Sequence, residues 1–170
     1  LYAFLNKQKM AERMAEKSKA DSKFDRQKSL LKVKVSCMKE RMLYSVELMA
    51  KPNLGEYKKS SDGNIIAKTN QPIRIEFNNP DATPHNLVLV QPDSLEEVGL
   101  AANDMAKDPI AAKNGQFIPE SNKIITHTKM LKQGETEFLR FKAPKKHGIY
   151  PYLCSFPGHW TIMKGNLIVK

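Results

Sequence analysis

A chain of 170 residues with 41% hydrophobic side chains is long enough for one main domain and leaves room for an appended segment. Its mean hydropathy is −0.51, and no apolar run nears the ~20 residues that span a bilayer, which argues against a membrane-embedded helical protein. The net charge of +10 favours acidic partners or anionic surfaces through attraction that salt screens; the lysines are scattered and no nucleic-acid motif is present, which sets nucleic acid aside.

Residues 1–29 differ from everything after them. They hold eight Lys/Arg against four Asp/Glu and no Gly or Pro, and Ala, Lys, Glu, Met and Gln dominate, all good helix formers. Met10, Ala11, Met14 and Ala15 give only a thin apolar stripe, and Asp25 is placed to pair with Lys28 at i, i+3. The expectation is a solvated helix or linker, and the sharper reading is a tether to a preceding domain or a membrane anchor. Leu1-Tyr2-Ala3-Phe4-Leu5 is too short to cross a bilayer, and because the chain starts on Leu1 rather than Met an upstream piece is expected.

From Leu30 the period changes towards two. Leu31, Val33 and Val35 alternate with Lys32, Lys34 and Ser36, the pattern of a half-buried strand, and Cys37 in this stretch reads as a buried, inert thiol. Met42–Val46 is a second strand. Pro52–Asn64 holds Pro, two Gly, Asn and Ser, with Ser60-Ser61-Asp62-Gly63-Asn64 a turn or loop. Ile65–Ala67 and Ile73–Phe77 are strands, Asn78-Asn79-Pro80-Asp81 breaks the pattern, and Leu87–Val90 resumes it as a continuous apolar run. Ser94-Leu95-Glu96-Glu97 fits a capping box opening a helix with Leu95, Val98, Ala102 and Met105 on one face, which Asp108-Pro109 ends. Lys123–His127, Glu137–Phe141, Gly148–Cys154 and Met163–Val169 are further strands. Short strands separated by turns, with one inserted helix, predict an antiparallel β-sandwich or barrel over residues 30–170.

The last loop carries the chemistry. Cys154, His159 and Met163 fall at i, i+5 and i+9, and Pro157-Gly158 supplies a reversal that lets all three reach one point. A thiolate, an imidazole and a weak axial thioether, joined by a second imidazole, form the ligand set of a blue-copper electron-transfer centre. Of the remaining histidines, His85 is the best candidate, because it follows Pro84 and opens the strand Leu87–Val90. Cys37 is then left over, and His147 in Lys145-Lys146-His147-Gly148 reads as an exposed turn residue.

These residues amount to a resemblance. Pro151–His159 followed by Met163–Val169 resembles the copper loop and last strand of the azurins, Pro84-His85-Asn86 resembles the upstream ligand segment shared by azurins and plastocyanins, and Ser121–Lys129 resembles the azurin stretch after the helical insertion. The likeness to this cupredoxin family covers residues 30–170 and not residues 1–29. It implies a Greek-key β-sandwich with one mononuclear copper cycling between Cu(I) and Cu(II). His85, Cys154 and His159 match the equatorial ligands, Met163 the axial one, and Asn86 the residue that steadies the ligand loops; His127 matches a position that binds no metal. Pro84 stands where azurins have Gly, so a four-coordinate site is expected.

The expected function is one-electron transfer between redox partners, with no enzymatic chemistry. A copper oxidase or nitrite reductase would need a second copper site, and a binuclear CuA centre needs two cysteines in the final loop, where only Cys154 is present. The alternative is a redox domain tethered by residues 1–29 within a larger electron-transfer complex or copper enzyme. Phe156, Pro157 and Trp160 around His159 form the expected docking patch. The expected partners are cytochromes or a membrane electron-transfer complex with an acidic docking surface, met in the periplasm or another extracytoplasmic space.

Overall fold

The computed structural model describes residues 2–39, 41–51, 56–60 and 62–170. In chain order the strands are β1 (Leu31–Met38), β2 (Leu43–Lys51), β3 (Glu56–Lys59), β4 (Ile65–Ala67), β5 (Pro72–Asn78), β6 (Val88–Val90), β7 (Ile124–His127), β8 (Thr136–Lys142), β9 (Gly148–Leu153) and β10 (Lys164–Val169). They form two five-stranded sheets, ordered β3-β2-β1-β5-β8 and β4-β10-β9-β6-β7. The sandwich is the one expected, but it is not purely antiparallel: β1 pairs with β5, and β4 with β10, in parallel.

Alternation decides which side chains meet between the sheets. Val33, Val35 and Cys37 of β1, Ile73, Ile75 and Phe77 of β5, and Leu139 of β8 face Ile65, Leu89, Tyr150, Tyr152, Leu167 and Val169 of the other sheet, all within one buried cluster. Burial of each large aliphatic or aromatic side chain there contributes about 1.5–3 kcal/mol. The chain crosses between the sheets after β5 and returns after β7, so the turn between β5 and β6 brings His85 to one end of the sandwich.

Outside the second sheet lies α2 (Leu95–Met105). Its Val98, with Leu95, packs against Val88, Val90 and Leu153 in a second apolar cluster. This explains the continuous run Leu87–Val90: β6 is buried on both faces, by the core on one side and by α2 on the other.

Three expectations about the local structure change. Ser94 caps no helical amide through its side chain; its hydroxyl donates back to the Pro92 carbonyl at 3.2 Å, so the capping box does not form. Asp108-Pro109 does not merely stop α2 but starts a second short helix, α3 (Pro109–Asn114), with Asp108 accepting from the amides of Ile110 and Ala111. Pro at the first helical position costs nothing there, because its missing N–H would have had no partner. Third, a strand that was not expected, β3, occupies residues 56–59; residues 52–55 and 61 lie outside the described residues, and Asp62 accepts from Ser60 Oγ and Asn64 N–H in a tight turn where a turn was expected.

The N-terminal segment forms α1 (Tyr2–Asp25), with no buried residue along its length. Asp25 closes the helix, so it does not pair with Lys28 along it. It accepts instead from Arg140 Nε and Nη2, both at 2.9 Å, and from Arg74 Nη1 at 3.0 Å, and Asp21 lies 3.5 Å from Arg140. The two guanidiniums stand over the Phe138 ring at 5.5 and 5.4 Å from its centroid. The Arg140 and Arg74 partners hold the Asp25 carboxyl below its ordinary range.

Candidate metal centre

Cys154 follows the last residue of β9, and the backbone around it is fixed from two sides. Its N–H donates to the Met163 carbonyl at 3.0 Å, which closes the loop at its base. The next amide, Ser155 N–H, donates to Asn86 Oδ1 at 2.8 Å, and Asn86 Nδ2 donates to Ser155 Oγ at 2.8 Å. Asn86 therefore ties the upstream segment to the loop with both ends of its amide. The Tyr44 hydroxyl donates to the Asn86 carbonyl at 2.6 Å, and His85 exchanges two backbone hydrogen bonds with Leu131.

Within the loop the reversal falls at Gly158, whose φ of +84° is one that L side chains adopt reluctantly. A single 3-10 turn, His159–Thr161, follows, and the Met163 N–H donates to the His159 carbonyl at 2.7 Å. Helix α2 braces this loop from outside. Asn103 Oδ1 accepts from the Gly158 amide at 2.8 Å, and the Trp160 indole lies flat on Gly99, where an added Cβ would stand only 2.2 Å from the ring.

These constraints bring three donors together. Cys154 Sγ lies 3.7 Å from His85 Nδ1 and 3.6 Å from His159 Nδ1, and the three ligand atoms lie within 4.8 Å of one another. Two such donors about 120° apart on one first-row ion, at bond lengths of about 2.0–2.3 Å, are about 3.7 Å apart, so the spacing fits a single metal ion. One thiol with two imidazoles is also the donor chemistry of a copper electron-transfer site. His85 and Cys154 have no exposed surface and His159 is 9% exposed.

Burial sets the protonation of the donors. It pushes the Cys154 thiol up to about 11, so the thiolate needs a nearby cation to form at neutral pH. Burial, with His85 alongside, draws His159 down to about 4, leaving a neutral ring with a free lone pair. The His85 and His159 ring centroids are 5.0 Å apart, and the Phe156 ring lies 4.5 Å from that of His159, tilted by 37°.

The other expected residues fall as follows. Met163 is fully buried at the base of the loop. Pro84, Phe156, Pro157 and Trp160 are half-buried; Trp160 lies against α2 rather than standing free, and the exposed apolar side chains nearest to it in the loop and on α2 are Ile162 and Leu100. His127 is exposed, with Nδ1 at 2.9 Å from the Thr128 carbonyl, and His147 is exposed; neither joins the cluster. Cys37 is buried, and burial raises its thiol strongly, in keeping with an inert role. Sequence reasoning passed over Gly99, Asn103 and Asp81. The first had a signal, since an isolated Gly inside a helical pattern often marks close packing.

Comparison with known proteins places this geometry. A family model described as copper binding proteins, plastocyanin/azurin family, matches residues 64–170. Auracyanin-A of Chloroflexus aurantiacus is 30% identical over 108 residues, covering 62% of this chain and 64% of that protein. Azurin-2 of Alcaligenes xylosoxydans xylosoxydans is 36% identical over 91 residues, or 51% and 64% of the two chains; the chain thus spans just under two thirds of the length of these two relatives. Azurin of Alcaligenes faecalis is 31% identical over 111 residues, 61% of this chain and 82% of that one. Among solved structures, a reduced auracyanin from Roseiflexus castenholzii superposes with a TM-score of 0.62 at 27% identity, covering 84% of this chain and 97% of the other.

Proposed function

The chain belongs to the plastocyanin/azurin family of copper-binding proteins, and from that premise we propose that it carries single electrons between redox partners through one type 1 copper held by His85, Cys154, His159 and Met163. The observation that supports this reading most directly is the convergence of Cys154 Sγ with the Nδ1 atoms of His85 and His159 in a buried site. When bound, copper supplies a one-electron Cu(I)/Cu(II) couple.

The protein's part is to bind and to hold. Cys154 gives up its proton to serve as a thiolate, and the two imidazoles bind in their neutral forms. Met163, buried at the base of the loop, would supply the thioether of the set, a weak contact that tunes the potential. Asn86 and α2 keep the two ligand segments in register, so little rearrangement accompanies a change in charge, and the apolar surroundings keep water out. His159 presents its edge to the surface, where Phe156, Pro157, Trp160 and Ile162 offer apolar contact to a docking partner and the net charge of +10 steers an acidic one. Cytochromes or a membrane electron-transfer complex fit this description, in the periplasm or another extracytoplasmic space.

One observation favours a second form of this reading. An α1 with no buried residue, fixed at its end by Asp25, suits residues 1–29 as a separate extension that tethers the copper domain of residues 30–170 within a larger assembly or to a membrane.

Addition of Cu(II) to the metal-free protein tests the proposal. The expected result is an intense visible thiolate-to-copper band that Cys154→Ser abolishes and His127→Ala leaves intact. A colourless complex with an ordinary Cu(II) spectrum would sink it.

A further inference from the structure

A carboxylate stands directly behind the buried ring of His85. Asp81 Oδ2 lies 3.2 Å from His85 Nε2, and the Asp81 side chain keeps 15% of its surface exposed while that of His85 keeps none. The turn between β5 and β6 aims this carboxylate. Asp81 N–H donates to Asn79 Oδ1 at 3.0 Å, and Ala82 N–H donates to Asp81 Oδ1 at 2.7 Å, which leaves Oδ2 for the ring. Asn79 is itself fully buried, and its Nδ2 donates to the carbonyls of Thr83 and Leu131 at 2.9 Å each. Leu131 is also the backbone partner of His85, so turn, carboxylate and imidazole are fastened to one residue.

An ionised carboxylate can only accept a hydrogen bond. The hydrogen therefore sits on His85 Nε2, and Nδ1 keeps its lone pair, 3.7 Å from Cys154 Sγ. We propose that Asp81 is a positioning residue of the metal centre, which fixes the tautomer of His85 and places a negative charge behind it that favours Cu(II) over Cu(I). The second half rests on the copper reading above; the first half holds without metal. A carboxylate behind a ligating imidazole also raises the basicity of the ring, an effect that a neutral acceptor in the same place would supply only weakly.

The test compares the parent protein with Asp81→Asn, which keeps the size of the side chain and removes its charge, and with Asp81→Ala. In the metal-free parent at mildly alkaline pH, nitrogen NMR of the imidazoles should find His85 with its hydrogen on Nε2, and Asp81→Ala should lose that preference. In the copper-loaded proteins the visible band should persist while Cu(II) affinity falls about tenfold relative to Cu(I), a rise in reduction potential of about 59 mV for a one-electron couple. Hydrogen on Nδ1 in the parent overturns the positioning role. An unchanged potential in Asp81→Asn overturns the tuning role, and that variant serves where Asp81→Ala fails to fold. If no thiolate-to-copper band forms in any of the proteins, the copper reading and the tuning role fall together, and the tautomer measurement still decides whether Asp81 positions His85.

Discussion

His159 carries the clearest acid signature of the site. Burial and the neighbouring His85 draw it from 6.5 down to about 4, with Asp81 opposing the shift. As pH falls, the unfolded chain takes up this proton before the folded one does. The stability that depends on a neutral His159 is therefore complete above about 6.5 and is lost as pH drops towards about 4. Thermal melts of the metal-free protein should show the midpoint falling across this window, and His159→Gln should flatten the slope. The paired carboxyls of Asp25 and Asp81, both below their ordinary 3.8, lose their contributions only in more acidic solution. The ligand-type residues were legible in the sequence because Cys154, His159 and Met163 lie on one short loop, and Pro84 and Asn86 frame His85. Asp81 was not, because its approach to the His85 ring depends on how the Asn79–Ala82 turn closes, and Asp and Asn in a turn usually serve their own backbone.

The inserted α2 does more than fill the connection between β6 and β7. It covers the outer face of β6 and touches the ligand loop at Gly99 and Asn103. Gly99→Ala would push a methyl group into the Trp160 indole. Denaturant unfolding should find a loss of about 1–3 kcal/mol from overpacking, and the visible band should shift as the loop carrying His159 is displaced. A substitution without effect on either would show that the indole has room to move. The helix itself was legible from its apolar face, but its contact with Trp160 was not, since the two residues meet only after the sandwich has formed. Asp108-Pro109 shows a different limit: an Asp-Pro pair after a helix is also a cap and first residue for the next one, and only the chain beyond decides between the two. The parallel pairing of β1 with β5 was likewise closed to sequence reasoning, because alternation assigns a face to a strand and says nothing of its neighbour.

At the scale of the whole molecule, a net charge of +10 surrounds a site buried at one end of a sandwich. Electron exchange with an acidic redox protein should slow as ionic strength rises, since the Debye length shortens from about 10 Å at 0.1 M to about 3 Å at 1 M; stopped-flow rates that stay flat with salt would contradict charge steering. The strands and their apolar faces were legible because alternation reports them directly, and the two-sheet sandwich followed from the family resemblance, whereas the clamp of Asp25 on Arg74 and Arg140 joins residues 49 and 115 positions apart in the chain and has no local signal. The burial of the donors also governs the timing of loading. With His85, Cys154 and Met163 fully enclosed and His159 only 9% exposed, an ion reaches or leaves them only while the chain opens locally, so the exchange rate follows the fraction of time spent open. The grip of α2 on Gly158 and Trp160 bears on the loop that carries His159, so an ion held there would stay longer the more seldom that loop lifts.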